Sequence, residues 1–184
     1  MMKHFALALA LGGALTLAVP STPAFATIET AEAKQAAADA AEQARDDMRV
    51  VFGKDSLKNG QFVWKDGKQS GAVTRVVISL SDQMAYAYRG DELVGISTIS
   101  SGNSKKPTPT GIFPILEKKR FHRSIKYENA PMPFMQRLDS YGIAMHAGHL
   151  PGYPASHGCV RLPSQFASRL FAMTEVGTEV LIGA

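Results

Sequence analysis

Apolar and polar positions along the chain change their period several times, and each change predicts an element. Residues 28–49 are mostly Ala interleaved with Glu, Gln, Lys, Asp and Arg. Ala is the best helix former, so a helix is expected there. Its apolar face would be almost all Ala and would bury little surface, so it reads as a solvent-washed helix or a spacer; a partner-binding helix is the alternative. Phe62-Val63-Trp64 reads as a strand, followed by a turn at Asp66-Gly67. Residues 73–80 are rich in β-branched side chains, and 83–88 alternate, with Met84, Tyr86 and Tyr88 on one side. Gly90-Asp91 is a turn, 93–99 another strand, and 105–111 a loop stiffened by Pro107 and Pro109. Phe113 to Leu116 resume strand character. Residues 130–134 hold two prolines and form a loop, and Ile143-Ala144-Met145 leads into His146 as a short strand. Ser164 is placed to cap a helix running to about Thr174, with Phe166, Leu170 and Phe171 core-facing; Gly177 ends it and Val180-Leu181-Ile182 is a last strand. Short strands punctuated by turns predict a mostly β fold.

The N-terminus changes what counts as the working chain. Lys3 and His4 precede an apolar run over 5–19, then Pro20, Pro23 and Ala24-Phe25-Ala26. This is the layout of a secretory signal peptide. The run is shorter than the roughly 20 residues of a membrane span. Cleavage is expected after Ala26, leaving no transmembrane anchor. The expected division is a signal peptide over 1–26, an Ala-rich helical spacer over 27–60 and a catalytic domain over 61–184. Removing Lys3 takes the formal net charge from +4 to +3. No dense Lys/Arg run with interleaved aromatics is present, which argues against nucleic acid. The stretch Lys118-Lys119-Arg120, Arg123 and Lys126 reads as a solvated face.

An exported chain enters an oxidising compartment, and this one carries a single cysteine, Cys159. It has no internal disulfide partner. A lone exported Cys is an intermolecular bridge, a free thiol with a task, or a small buried hydrophobe. Its neighbours weigh the choice: 143–163 read I-A-M-H-A-G-H-L-P-G-Y-P-A-S-H-G-C-V-R-L-P. A thiol nucleophile needs a base, and donors for the oxyanion it creates. His146 and His157 are both base candidates. In extended backbone His157, Cys159 and Arg161 would share a side. Gly158 lets backbone approach a substrate, so the N–H groups of Gly158 and Cys159 are oxyanion candidates. Arg161 suits a substrate carboxylate or an internal acid. His146, His149, His157 and Cys159 also raise a zinc site, but their spacing matches no common zinc pattern, and no metal or other cofactor is expected.

Ser156-His157-Gly158-Cys159-Val160-Arg161-Leu162, with His146 upstream, resembles the signature of L,D-transpeptidases with a YkuD-like domain: a His, then S-x-G-C-[VI]-R. Val76-Val77-Ile78-Ser79-Leu80 with Gln83 and Tyr86 resembles the family's first core strands. Residues 97–102 and Pro107-Thr108-Pro109-Thr110-Gly111-Ile112-Phe113 resemble its S-T-G … T-P-T-G-x-F segment, with Ile99-Ser100 as an extra pair. Residues 130–134 resemble the loop that walls its active site. The likeness covers 73–182.

The resemblance implies a YkuD-like β-sandwich or barrel with a short helix after the catalytic Cys. It implies Cys159 as nucleophile and His146 as general base, its imidazole oriented by a backbone carbonyl at Ala147. Ser156, His157, Gly158 and Arg161 become oxyanion or substrate support. The implied reaction is attack on the third residue of a peptidoglycan tetrapeptide stem, release of D-Ala, and transfer of the acyl group to an amine. The acceptor would be another stem or an outer-membrane lipoprotein; water would make a carboxypeptidase, or a hydrolase of stem-linked protein. A wall-binding protein without turnover is the reading outside enzymes. The expected setting is the periplasm or cell wall, with a part in wall cross-linking and cell shape, as a monomer.

Overall fold

The computed structural model describes residues 27–65 and 71–184. The expected signal peptide and the turn at Asp66-Gly67 lie outside the described residues. Among those described, no helix is long and apolar enough to cross a membrane.

The fold is mostly β, as the sequence predicts, with two sheets and two helices. The larger sheet takes the order β1 (Phe62–Trp64), β4 (Glu92–Thr98), β3 (Met84–Arg89), β2 (Arg75–Ser79), β10 (Glu179–Gly183), β5 (Gly111–Pro114). Only its β2–β10 pairing is parallel. The smaller sheet runs β6 (Glu117–Lys119), β7 (Met135–Arg137), β8 (Ala144–Ala147), β9 (Val160–Leu162), and β8 and β9 are parallel. Helix α2 (Ser164–Met173) follows β9 directly.

Strand alternation sorts the larger sheet into two faces. Val76, Ile78, Ala85, Ala87, Val180 and Ile182 point to a core shared with the smaller sheet and α2. Met145, Ala147, Val160 and Leu162 enter that core from β8 and β9, and Phe166, Ala167 and Leu170 from α2. Val77, Met84, Tyr86, Tyr88, Leu93 and Ile96 point the other way. The alternation of Met84, Tyr86 and Tyr88 seen in the sequence therefore faces a second cluster, and that cluster is closed by helix α1 (Ala31–Phe52).

The solvent-washed reading of residues 28–49 is corrected by this packing. Ala33, Ala37, Ala41, Ala44 and Met48 recur at helical spacing and are buried. The short Ala side chains are what let the helix lie close to the sheet: a Cβ on Gly183 of β10 would come within 2.5 Å of Ala37 O. The apolar bulk comes from the sheet's Tyr and Met side chains. Tyr88 OH donates to Asp47 at 2.7 Å and Arg45 pairs with Asp82 at 2.7 Å, tying the helix down further. Thr30 caps the N-terminus by accepting from Ala33 N, and Gly53 (φ 60) closes the C-terminus onto Arg49 O. Ala37→Leu should therefore lower stability by about 1–3 kcal/mol through overpacking. Urea unfolding checks this; an unchanged midpoint would contradict the packed helix.

Two smaller differences concern α2 and the second sheet. Ser164 starts α2 after Pro163 but makes no capping bond; the helix ends where the sequence places its end, at Met173 with Thr174 as C-cap. Strands β6 and β7 lie in stretches whose pattern gave no strand signal, because three residues are too few to display a period.

Candidate active site

The parallel pairing of β8 with β9 builds the site. Met145 lies opposite Val160 and His146 opposite Arg161. Met145, Ala147, Val160 and Leu162 turn into the core, so His146, Arg161 and the preceding Cys159 turn outward. They open into a groove of about 640 Å³, walled by Met132, Tyr127 and Tyr141 among others. Cys159 packs against Met132, Met135 and Ala144. Its Sγ sits 3.7 Å from Gly142 O.

His146 is buried, and its Nδ1 lies 2.8 Å from Ala147 O, the carbonyl the resemblance points to. A carbonyl only accepts, so Nδ1 carries the proton and Nε2 keeps the lone pair. Burial lowers the His146 pKa below its ordinary 6.5; the charges of Arg161 and His122 act the same way, against the Ala147 carbonyl. Burial pushes the Cys159 thiol above its ordinary 9.0, reinforced by Asp139 and opposed by the Ala144 backbone and Arg161. The resting pair is therefore neutral thiol and neutral imidazole.

These shifts carry a sign for stability. His146 binds its proton more weakly folded than unfolded, so stability falls as pH drops through 6.5 toward the lower folded value. Cys159 loses its proton more readily unfolded, so stability also falls as pH rises past 9.0. His146→Gln should flatten the acid side of a urea-midpoint profile between pH 7 and 5; a profile of unchanged slope would contradict the burial argument.

The chain from 156 to 158 does not run extended. Gly158 has φ 113, which only glycine adopts easily, and a Cβ there would lie 2.6 Å from Ile143 Cδ1. The backbone thus bends at 157–158 instead of running extended, and His157 and Cys159 both line the groove. His157 is exposed, and its ring stacks on Tyr127 at 4.5 Å and 24°. Ser156 is buried; its Oγ accepts from Gly158 N at 3.1 Å and donates to Cys159 O at 2.5 Å. Gly158 N–H is therefore occupied in the resting site. Thr108 of the T-P-T-G segment donates to Gly158 O at 2.9 Å and accepts from Gly102 N at 2.8 Å.

Arg161 lays its stem against Gly148, and its guanidinium has no hydrogen-bond or ion-pair partner among the described residues. His149 is exposed at the groove edge. Phe134 packs on Phe171 at 5.9 Å, and Tyr153 accepts through its carbonyl from Ser100 at 2.7 Å; neither lines the groove. Among the described residues, no three His, Cys, Asp or Glu side chains converge as a metal site. Sequence reasoning missed Asp139, whose Oδ1 accepts from the N–H groups of Tyr141, Gly142 and Ile143 at 2.8–2.9 Å and so shapes the loop beside the thiol. It also missed Tyr127 and Tyr141 as walls. An Asp followed two residues on by an aromatic and Gly was the available signal.

A two-sheet β fold with a carbonyl-tied imidazole on one strand and a thiol just before the adjacent strand, both lining one groove, defines a class of candidate cysteine enzymes. Residues 73–182 match the L,D-transpeptidase catalytic domain, YkuD, and the chain belongs to that family. Among solved structures, it is similar to an L,D-transpeptidase from Xylanimonas cellulosilytica at 29% identity and TM-score 0.55, covering 65% of this chain and 64% of that one. An L,D-transpeptidase from Stackebrandtia nassauensis aligns at 23% identity and TM-score 0.55, over 65% of this chain and 58% of that one. The Enterococcus faecium L,D-transpeptidase C442S mutant aligns at 25% identity and TM-score 0.53, over 61% and 50%. The chain thus spans about 50–64% of the length of these three proteins. No curated protein matches it in sequence.

Proposed function

We propose that the protein is an exported L,D-transpeptidase that works through a Cys159 thioester on peptidoglycan tetrapeptide stems. The observation that carries this is the placement of His146 on β8 and of Cys159 immediately before the neighbouring β9, both lining one groove, with His146 Nδ1 held by Ala147 O and Nε2 left as base.

The steps balance as follows. Nε2 takes the thiol proton as sulfur bonds to the carbonyl carbon of the third stem residue. The carbonyl oxygen becomes an oxyanion. Cys159 N–H is the donor for it, because Gly158 N–H is held by Ser156. Collapse breaks the amide bond, and the leaving D-Ala amine takes the proton from the imidazolium. An acceptor amine then attacks the thioester, gives its proton to Nε2, and restores the thiol. Arg161, unpaired among the described residues, is the cation for a stem carboxylate. His157, stacked on Tyr127, supports the groove wall. The physiological acceptor is a second stem or an outer-membrane lipoprotein.

Product analysis with a tetrapeptide stem, with and without added acceptor stem, tests this. A cross-linked dimer with one D-Ala per bond supports transfer. D-Ala with only a tripeptide, acceptor present, would make the protein a carboxypeptidase.

A further inference from the structure

Gln83 lies in the turn between β2 and β3, far in sequence from Cys159, yet hydrogen bonds join the two. Its φ is 53, a left-handed conformation that a side chain disfavours. Its amide is fully used. Nε2 donates to Leu80 O and to Ser101 Oγ, both at 2.8 Å, and Oε1 accepts from Ser101 N at 3.0 Å. Its carbonyl accepts from Ile99 N at 2.9 Å. Buried Ser101 in turn accepts through its carbonyl from Ala155 N at 3.0 Å and Ser156 N at 2.9 Å. Ser156 Oγ then holds Gly158 N–H and Cys159 O. The path runs Gln83, Ser101, Ser156, Cys159.

We propose that Gln83 is a positioning residue for the nucleophile: it fixes Ser101, and Ser101 fixes the 155–159 segment that aims Cys159 at the groove. The role rests on Cys159 being the nucleophile. The chemistry explains the residue type. The site needs two donors and one acceptor on one planar group, which is what a Gln amide supplies. Glu keeps the acceptor for Ser101 N but sets a carboxylate oxygen where Nε2 met Leu80 O. Leu leaves Ser101 N–H without its partner. The left-handed backbone at Gln83 fits the same reading, since strained backbone persists where the surrounding structure demands it. The segment it braces carries no regular structure of its own between residues 148 and 159 beyond a bridge at Ser156, so its geometry depends on such outside bonds.

The test uses Gln83→Leu, Gln83→Glu, Ser101→Ala and the Gln83→Leu/Ser101→Ala double variant, each checked for folding by circular dichroism. Two rates are read: acylation by a tetrapeptide stem, and alkylation of Cys159 by iodoacetamide from pH 6 to 10. A displaced nucleophile should lower the acylation rate constant about 10- to 100-fold. The half-saturating stem concentration should change less than about twofold. The double variant should be no slower than Gln83→Leu, since both act on one path. The alkylation profile should move to higher pH, as thiolate formation loses its aligned base. Alkylation needs no stem, so a wild type that turns over no stem would fail the functional reading while still reporting on Gln83. Unchanged acylation and alkylation in folded variants would overturn the proposal. So would a loss confined to half-saturation, or losses that multiply in the double variant. Unfolding of both Gln83 variants would make Gln83 a residue of the fold alone, and overturn it too.

Discussion

Replacing Cys159 with Ala is expected to lower release of D-Ala from a tetrapeptide stem by at least about four orders of magnitude, the scale seen when an acyl-transfer nucleophile is removed. The fold should survive. Cys159 is half-buried at a groove wall, beside Met132, Met135 and Ala144, and its thiol meets backbone alone among the described residues, at Ala144 and, over a long contact, at Gly142 O. Removing one sulfur there takes away little packing. The surrounding scaffold, from Thr108 on Gly158 O to Ser156 on Cys159 O, acts on backbone atoms that Ala retains. Activity should therefore vanish with a near-native melting curve. Turnover within tenfold of wild type, by chromatography of released D-Ala, would remove the thioester from the account.

His146→Ala should cost about 10²- to 10⁴-fold in acylation at neutral pH, the usual worth of a positioned general base. The pH profile should change shape as well as height. In the wild type, burial holds His146 below 6.5, so its neutral form persists and the acid limb falls below that value. The variant must wait for spontaneous thiolate, and burial holds Cys159 above 9.0. Its rate should climb steadily through pH 7 to 9, where the wild type is flat. A variant with an undisturbed acid limb would show that another group, His157 or His149, supplies the base. His157 is disfavoured because it is exposed and stacked on Tyr127.

The site was legible where chemistry is written in residue identity. Cys159, His146 and the S-H-G-C-V-R run stood out because together they resemble a family signature, which a single Cys alone would not do. Strands β2, β3, β4 and β10 of the larger sheet were legible too, since five to seven residues suffice to display alternation; Met84, Tyr86 and Tyr88 point to one cluster as their spacing predicts. Three features were not legible, for three reasons. The Ala face of α1 looked too thin to bury, because its value depends on Tyr and Met side chains from strands elsewhere in the chain. The bend at 157–158 was hidden because Gly158 permits a positive φ without requiring one. Asp139 acts through backbone N–H groups, and an Asp ahead of an aromatic and Gly is a turn signal too common to mark a site.

The account stands most directly on one measurement: intact-mass spectrometry of the 27–184 chain incubated with a disaccharide tetrapeptide stem, beside Cys159→Ala. It predicts a mass gain equal to the stem less D-Ala on the wild type alone, located on Cys159 by fragmentation. No adduct and no free D-Ala, with the protein folded and its thiol reduced, would contradict it and return the protein to a wall-binding role.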